Sequence, residues 1–218
     1  MSDSISVVMA DDHALLRSTL ADWLRSAPDI RIVAAVENAD KAIGAVEQQG
    51  ADVVLMDIDM PGTAAFEAAR QIRRKSPRTK IIFLSAFFHD QYIEQALDAG
   101  AMSYLTKGEP PETVISAIRS VAAGGVYFSP EVQARLIIDS DRPRLAHSGH
   151  TRVSTLTTRE LEVLRYLARG HSKKEIAAIM DIGMKTVEKH TENLMSKLDI
   201  HDRVELARYA IREGLAEA

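Results

Sequence analysis

The 218-residue chain contains no cysteine, which excludes disulfides, thiolate metal sites and cysteine nucleophiles and fits a reducing compartment. No apolar stretch approaches the ~20 residues a membrane helix needs, so no membrane association is expected. The start, MSDSISVVMADD, lacks a basic segment followed by a long apolar run, so no signal peptide is expected and the cytoplasm is the expected location. Excess charge of one sign is missing as well, the net charge being −4. Residues 1–130 carry 12 Lys+Arg against 17 Asp+Glu, whereas residues 131–218 carry 15 against 14. Affinity for nucleic acid therefore has to come from cations gathered on one face, not from overall charge. Internal repeats and low-complexity tracts are absent too.

What is present is a regular alternation. Short apolar runs at Ile5–Ala10, Ile32–Val36, Val53–Met56, Ile81–Ser85 and Ser103–Thr106 have strand length and continuous apolar character. That character suits parallel strands covered on both faces. Between and after them, His13–Ser26, Asn38–Gln49, Thr63–Lys75, Asp90–Ala99 and Pro111–Ala123 place apolar residues at helical spacing. The expectation is an α/β doubly wound (βα)5 parallel sheet of the flavodoxin type, with a site at the carboxyl ends of the strands. The alternation stops at Gly124-Gly125. A short helix is expected over Glu131–Asp139, then a linker over Ser140–Thr151, then helices at Thr158–Arg169, Lys173–Met180, Met184–Leu198 and Arg203–Gly214. The implied division is 1–128, a linker with a short helix at 129–151, and an all-α domain at 152–218.

Carboxylates fall at the strand ends. Asp11 and Asp12 follow the first strand and Asp57 ends the third, so they converge if those strands are neighbours. Such carboxylates repel, and a hard divalent cation, Mg²⁺ or Mn²⁺, is the natural means of holding them together. Ser85 ends the fourth strand and Lys107 follows the fifth. A hydroxyl and an ammonium beside three carboxylates form a set suited to phosphoryl groups, in which a carboxylate acts as nucleophile. Each residue also has a plain structural reading: Asp11 and Asp12 as helix caps, Asp57 as a turn residue, Tyr104 as a packing residue.

With DD at 11–12, DIDMPG at 57–62, LSA at 84–86 and YLTKG at 104–108, residues 1–128 resemble a response-regulator receiver domain of the CheY-like fold. The resemblance implies that Asp57 is the phospho-acceptor and that Asp11, Asp12, Asp57 and the backbone carbonyl of Asp59 serve Mg²⁺. It further implies that Ser85 and Lys107 meet the phosphoryl oxygens and that Tyr104 rotates on activation. Gly108 departs from the pattern, since many receivers have proline after the lysine.

The stretches LTTRELEVLRYLARGHSKKEIA (156–177), MKTVEKH (184–190), NLMSKL (193–198) and RVELARYAI (203–211) resemble the LuxR-type helix-turn-helix. Together the two halves resemble the NarL/FixJ subfamily of response regulators. Helical spacing puts Val187, Leu194 and Leu198 inward and Lys185, Thr186, Lys189, His190 and Asn193 on the opposing side, where a helix lies in a major groove. Lys173, Lys174 and Lys197 are expected as phosphate contacts. Gly183 stands where relatives often carry a capping serine.

The function expected is a non-enzymatic transcription regulator. A histidine kinase or a small phosphodonor charges Asp57, and the activated homodimer binds promoter DNA. Two other readings stay open on the sequence: a phosphorylation-independent DNA-binding regulator, and a haloacid-dehalogenase-like phosphatase using Asp57-Ile-Asp59, which would turn over a generic phosphate monoester.

Overall fold

The structure, a computed structural model, describes residues 4–86, 88–139, 142–145 and 152–216. The chain forms two compact units, one built on a sheet and one helical, and residues 88–94 group with the carboxy-terminal helices in the second.

The sheet unit alternates β1 (Ile5–Ala10), α1 (Ala14–Ser26), β2 (Ile30–Val36), α2 (Ala39–Gln49), β3 (Val53–Asp57), α3 (Ala65–Lys75), β4 (Lys80–Ser85), α4 (Asp90–Asp98), β5 (Ser103–Thr106) and α5 (Pro111–Ala122). All pairings are parallel, in the order β2-β1-β3-β4-β5-β6. β1 and β3 are thus neighbours, as the convergence of Asp11 and Asp57 requires. Alternate residues point to opposite faces of a strand. Val7, Met9, Val53, Leu55, Ile82 and Leu84 form one core with Leu20 and Leu24 of α1 and Val114, Ile118 and Val121 of α5. On the other parity, Phe83 of β4 packs edge-on against Phe66 of α3 at a centroid distance of 5.0 Å.

The sheet has six strands, not the five expected. The added strand is β6 (Tyr127–Phe128), which pairs with β5 and is too short to carry a readable period. The helix expected over Glu131–Asp139 is confined to α6 (Pro130–Gln133), capped by the Ser129 hydroxyl. Leu136–Asp139 is instead strand β7, paired with β8 (Arg142–Leu145). The run Leu-Ile-Ile is richer in β-branched residues than a helix favours. β8 lies inside the stretch read as linker; residues 140–141 and 146–151 of that stretch lie outside the described residues.

The helical unit begins with a 3-10 turn (Arg152–Thr155) and continues as α7 (Thr158–Ala168), α8 (Lys173–Ile179), α9 (Met184–Leu198) and α10 (Arg203–Arg212). Thr157 with Glu160, and Ser172 with Glu175, form capping boxes that start α7 and α8, each satisfying amides that would otherwise lack partners. Between α8 and α9 the chain turns at Asp181, whose φ is 51°, while the Ile182 amide donates to the Ala177 carbonyl at 3.0 Å. This Schellman-type ending reverses the chain within four residues.

One core position breaks the pattern of satisfied polarity. The Ser103 hydroxyl on β5 is fully buried without a hydrogen-bond partner. Removing a buried unpaired hydroxyl relieves its desolvation cost. Ser103→Ala should therefore raise unfolding stability by about 1 kcal/mol, as read by urea denaturation.

Candidate functional site

Five side chains named from the sequence sit on elements that bring them toward the carboxyl edge of the sheet. Asp57 is the last residue of β3, and the register pairs it with Leu84, one residue before Ser85. Lys107 follows β5 directly, and its amide donates to the Ser85 carbonyl at 2.7 Å. That bond ties the β5–α5 turn to the end of β4.

The charges meet at Lys107. Its Nζ lies 2.7 Å from Asp57 Oδ2 and 2.9 Å from Asp11 Oδ2, so one ammonium bridges two carboxylates. Asp57 and Asp11 are almost wholly buried, while Lys107 keeps 14% of its side chain exposed. Asp57 Oδ1 accepts from the Asp59 amide at 3.2 Å, and Asp11 Oδ1 accepts from the His13 amide at 2.8 Å. The guanidinium of Arg17, one turn into α1, donates to the Asp11 carbonyl. Asp11 is thus fixed from both sides, in an arrangement akin to a cap although His13 occupies the cap position.

Burial pushes the Asp57 carboxyl up from 3.8 to about 6, against the pull of Lys107. Burial also raises Asp12, with repulsion from Asp11 and Asp59 adding to it and His13 opposing it. For Lys107 burial disfavours the charge, but Asp57 and Asp11 outweigh it and its pKa lies above the ordinary value. The carboxylate pocket is thus electrostatically under-compensated by one lysine.

Asp11, Asp12, His13 and Asp57 each bring one ligand atom to within 4.8 Å of the others. Three of the four donors are carboxylates, and the donor set fits a hard divalent cation. His13 was read only as the start of a helix. Its Nδ1 lies 2.7 Å from Asp12 Oδ1, and its place directly after the two aspartates was the signal for it. Tyr104 is fully buried on β5 between Phe83 and Phe128 in register. Gly108 has ample space beside it and no left-handed backbone, so its departure from the proline pattern strains nothing.

In the helical unit, α9 buries Val187, Thr191, Leu194 and Leu198. Lys185, Thr186, Lys189 and Asn193 are exposed, His190 is half-buried, and Lys173 and Lys174 are exposed on α8. Burial holds His190 below its ordinary pKa, so it is neutral near pH 7. Gly183 caps α9 without a side-chain bond. Two lysines have acidic neighbours: Lys173 lies 3.9 Å from Glu188 and Lys197 lies 2.6 Å from Glu160.

A group whose folded pKa exceeds its unfolded value binds its proton more tightly when folded. Ionised Asp57 therefore costs stability above about pH 6, and the cost disappears as pH falls toward 3.8; the shift corresponds to about 3 kcal/mol. With divalent metal chelated, Asp57→Asn should melt at a higher temperature than the parent at pH 7.5. Calorimetry should show the difference shrinking as the pH falls from 6 toward 4.

Residues 7–119 match the family model described as the response regulator receiver domain, and residues 154–210 match that of bacterial regulatory proteins of the luxR family. Over 213 residues the chain is 36% identical to the transcriptional regulatory protein LiaR of Bacillus subtilis, covering 97% of this chain and 99% of LiaR. It is 34% identical over 214 residues to the response regulator UvrY of Escherichia coli, covering 98% and 97%. Among solved structures, RcsB from Salmonella enterica serovar Typhimurium, bound to promoter DNA in the presence of a phosphomimetic, aligns with TM-score 0.70. That alignment has 22% identity and covers 95% of this chain and 98% of RcsB. No described helix is long and apolar enough to cross a membrane. A carboxylate-lysine pocket at the end of a parallel sheet, a helix-turn-helix beyond it and full-length similarity to known regulators carry one conclusion: this chain is a member of the NarL/FixJ-type response regulators, with a receiver domain and a LuxR-type DNA-binding domain.

Proposed function

We propose that Asp57 accepts a phosphoryl group from a histidine kinase or a small phosphodonor, and that the resulting acyl phosphate turns on promoter binding by a homodimer. The single observation that carries this reading is the lysine ammonium held against two buried carboxylates, Asp57 and Asp11. The domains in this reading are a receiver at 1–128 and an output domain at 152–218, joined by 129–151, and the protein works in the cytoplasm.

A carboxylate oxygen of Asp57 attacks phosphorus, and the bond to the donor's nitrogen or oxygen breaks with its electron pair leaving on the donor. Asp11, Asp12, Asp57 and the backbone carbonyl of Asp59 would hold Mg²⁺ or Mn²⁺, which supplies neutralising charge to the transferring group. Lys107 exchanges its carboxylate partner for a phosphoryl oxygen, and the Ser85 hydroxyl donates to another. Because the Lys107 amide is bonded to the Ser85 carbonyl, the ends of β4 and β5 respond together. Tyr104 lies on β5, three residues before Lys107, and changes rotamer with that edge. The equilibrium between two arrangements of this surface then favours dimerisation.

In the output unit, Lys185, Thr186, Lys189, His190 and Asn193 face the groove, and Lys173 and Lys174 are assigned to phosphates. Lys197, expected to join them, has its ammonium engaged by Glu160. RcsB bound to a promoter with a phosphomimetic supports coupling between the two halves in this fold.

Incubation with labelled acetyl phosphate and Mg²⁺ should label the parent chain and leave Asp57→Asn unlabelled; normal labelling of the variant would exclude the assignment. Selection from a randomised duplex library should enrich a two-half-site sequence more strongly with donor than without. Equal enrichment would favour the phosphorylation-independent regulator. Lys185→Ala and Lys189→Ala should each weaken binding, and a variant that has lost a phosphate contact should lower the salt slope by about one.

A further inference from the structure

Glu160 performs two tasks with one oxygen. Its Oε2 accepts from the Thr157 amide at 2.8 Å, closing the capping box of α7, and from Lys197 Nζ at 2.6 Å. Glu160 sits in the first turn of α7 and Lys197 in the last turn of α9, so a single carboxylate ties the start of one helix to the end of the other. Only 3% of the Glu160 side chain is exposed, against 34% for Lys197. At its other end α9 begins at Gly183 with no side-chain cap. The Glu160–Lys197 pair thus fastens α9 to α7 near the carboxyl end of α9, one turn past the outermost reading residue, Asn193.

We propose that Glu160 is a positioning residue for DNA recognition, acting through Lys197 to set the seating of α9, and that Lys197 is an anchor and not a phosphate contact. The inference rests on α9 being the helix that enters the groove. A lysine whose ammonium is held by a little-exposed carboxylate has to give up a charge-assisted bond before it can reach a phosphate. Leaving Glu160 uncompensated costs more than losing a surface charge, so the pair stays closed when DNA binds.

The test uses the full chain and a fluorescent duplex enriched from a randomised library by the parent protein. Dissociation constants are measured by anisotropy across a salt series, with the competent fraction fixed by stoichiometric titration. Lys197→Met and Glu160→Gln should each weaken binding about tenfold with the salt slope unchanged. The double variant should be no weaker than either single one, and Lys197→Arg should restore binding. If Glu160→Gln leaves binding unchanged or tightens it while Lys197→Met lowers the slope by about one, Lys197 grips phosphate and the proposal is overturned. Reduced melting temperatures with unaltered dissociation constants would overturn it too, leaving the pair a purely structural one. Failure of the parent chain to enrich any duplex would instead remove the DNA-reading role on which the inference stands.

Discussion

The amino-terminal half of this molecule depends on a charge imbalance held at the edge of a parallel sheet. Asp11 and Asp57 are buried there with a single lysine ammonium between them. Burial outweighs that lysine at Asp57, whose carboxyl is pushed up to about 6. Such a pocket attracts whatever adds positive charge to it, and it gives up lysine most readily to a ligand with more negative charge than a carboxylate. The hydrophobic layers on both sides of the sheet make this arrangement tolerable. β1, β3 and β4 are covered by helices on each face, so the strand ends cannot splay to relieve the repulsion. Strand order decides the chemistry as well, because only adjacency of β1 and β3 brings the two aspartates within reach of one cation.

The helical half obeys a different constraint. Its helices are short, and local capping starts two of them: Thr157 with Glu160, and Ser172 with Glu175. Apolar residues on α9 turn inward at Val187, Leu194 and Leu198, and this leaves the polar side chains together on the outside. Net charge says almost nothing about this surface. The exposed cations lie on α8 and α9, and Glu188 of α9 tempers Lys173 of α8.

Much of this was legible in the amino-acid order. Strands covered on both faces have continuous apolar runs, so the first five strands could be read to within two residues, and Asp11, Asp57, Ser85 and Lys107 could be assigned to their ends. The inward stripe of α9 was also readable, because it is a local pattern. What escaped was either too short or too distant. β6 has two residues and no period, and it exists because β5 offers it an edge. β7 and β8 pair with each other across a stretch whose polarity resembles a linker. His13 stands at the beginning of a helix, and only its place directly after the two aspartates hints that its imidazole turns back to Asp12. Lys197 looked like any lysine on an exposed helix, because its partner lies 37 positions away in sequence and no spacing rule connects them.

On α9 the residues proposed to read DNA stand on the exposed face between positions 185 and 193, whereas Val187, Thr191, Leu194 and Leu198 turn inward and seat the helix against its neighbours. The two jobs are divided by face and not by length. In the proposed reading, outward side chains can therefore be exchanged without disturbing the docking of the helix. A chimera that keeps the inward stripe and takes foreign outward side chains inherits its angle of approach from the host, so operators diversify on one side of the helix while the architecture is preserved on the other.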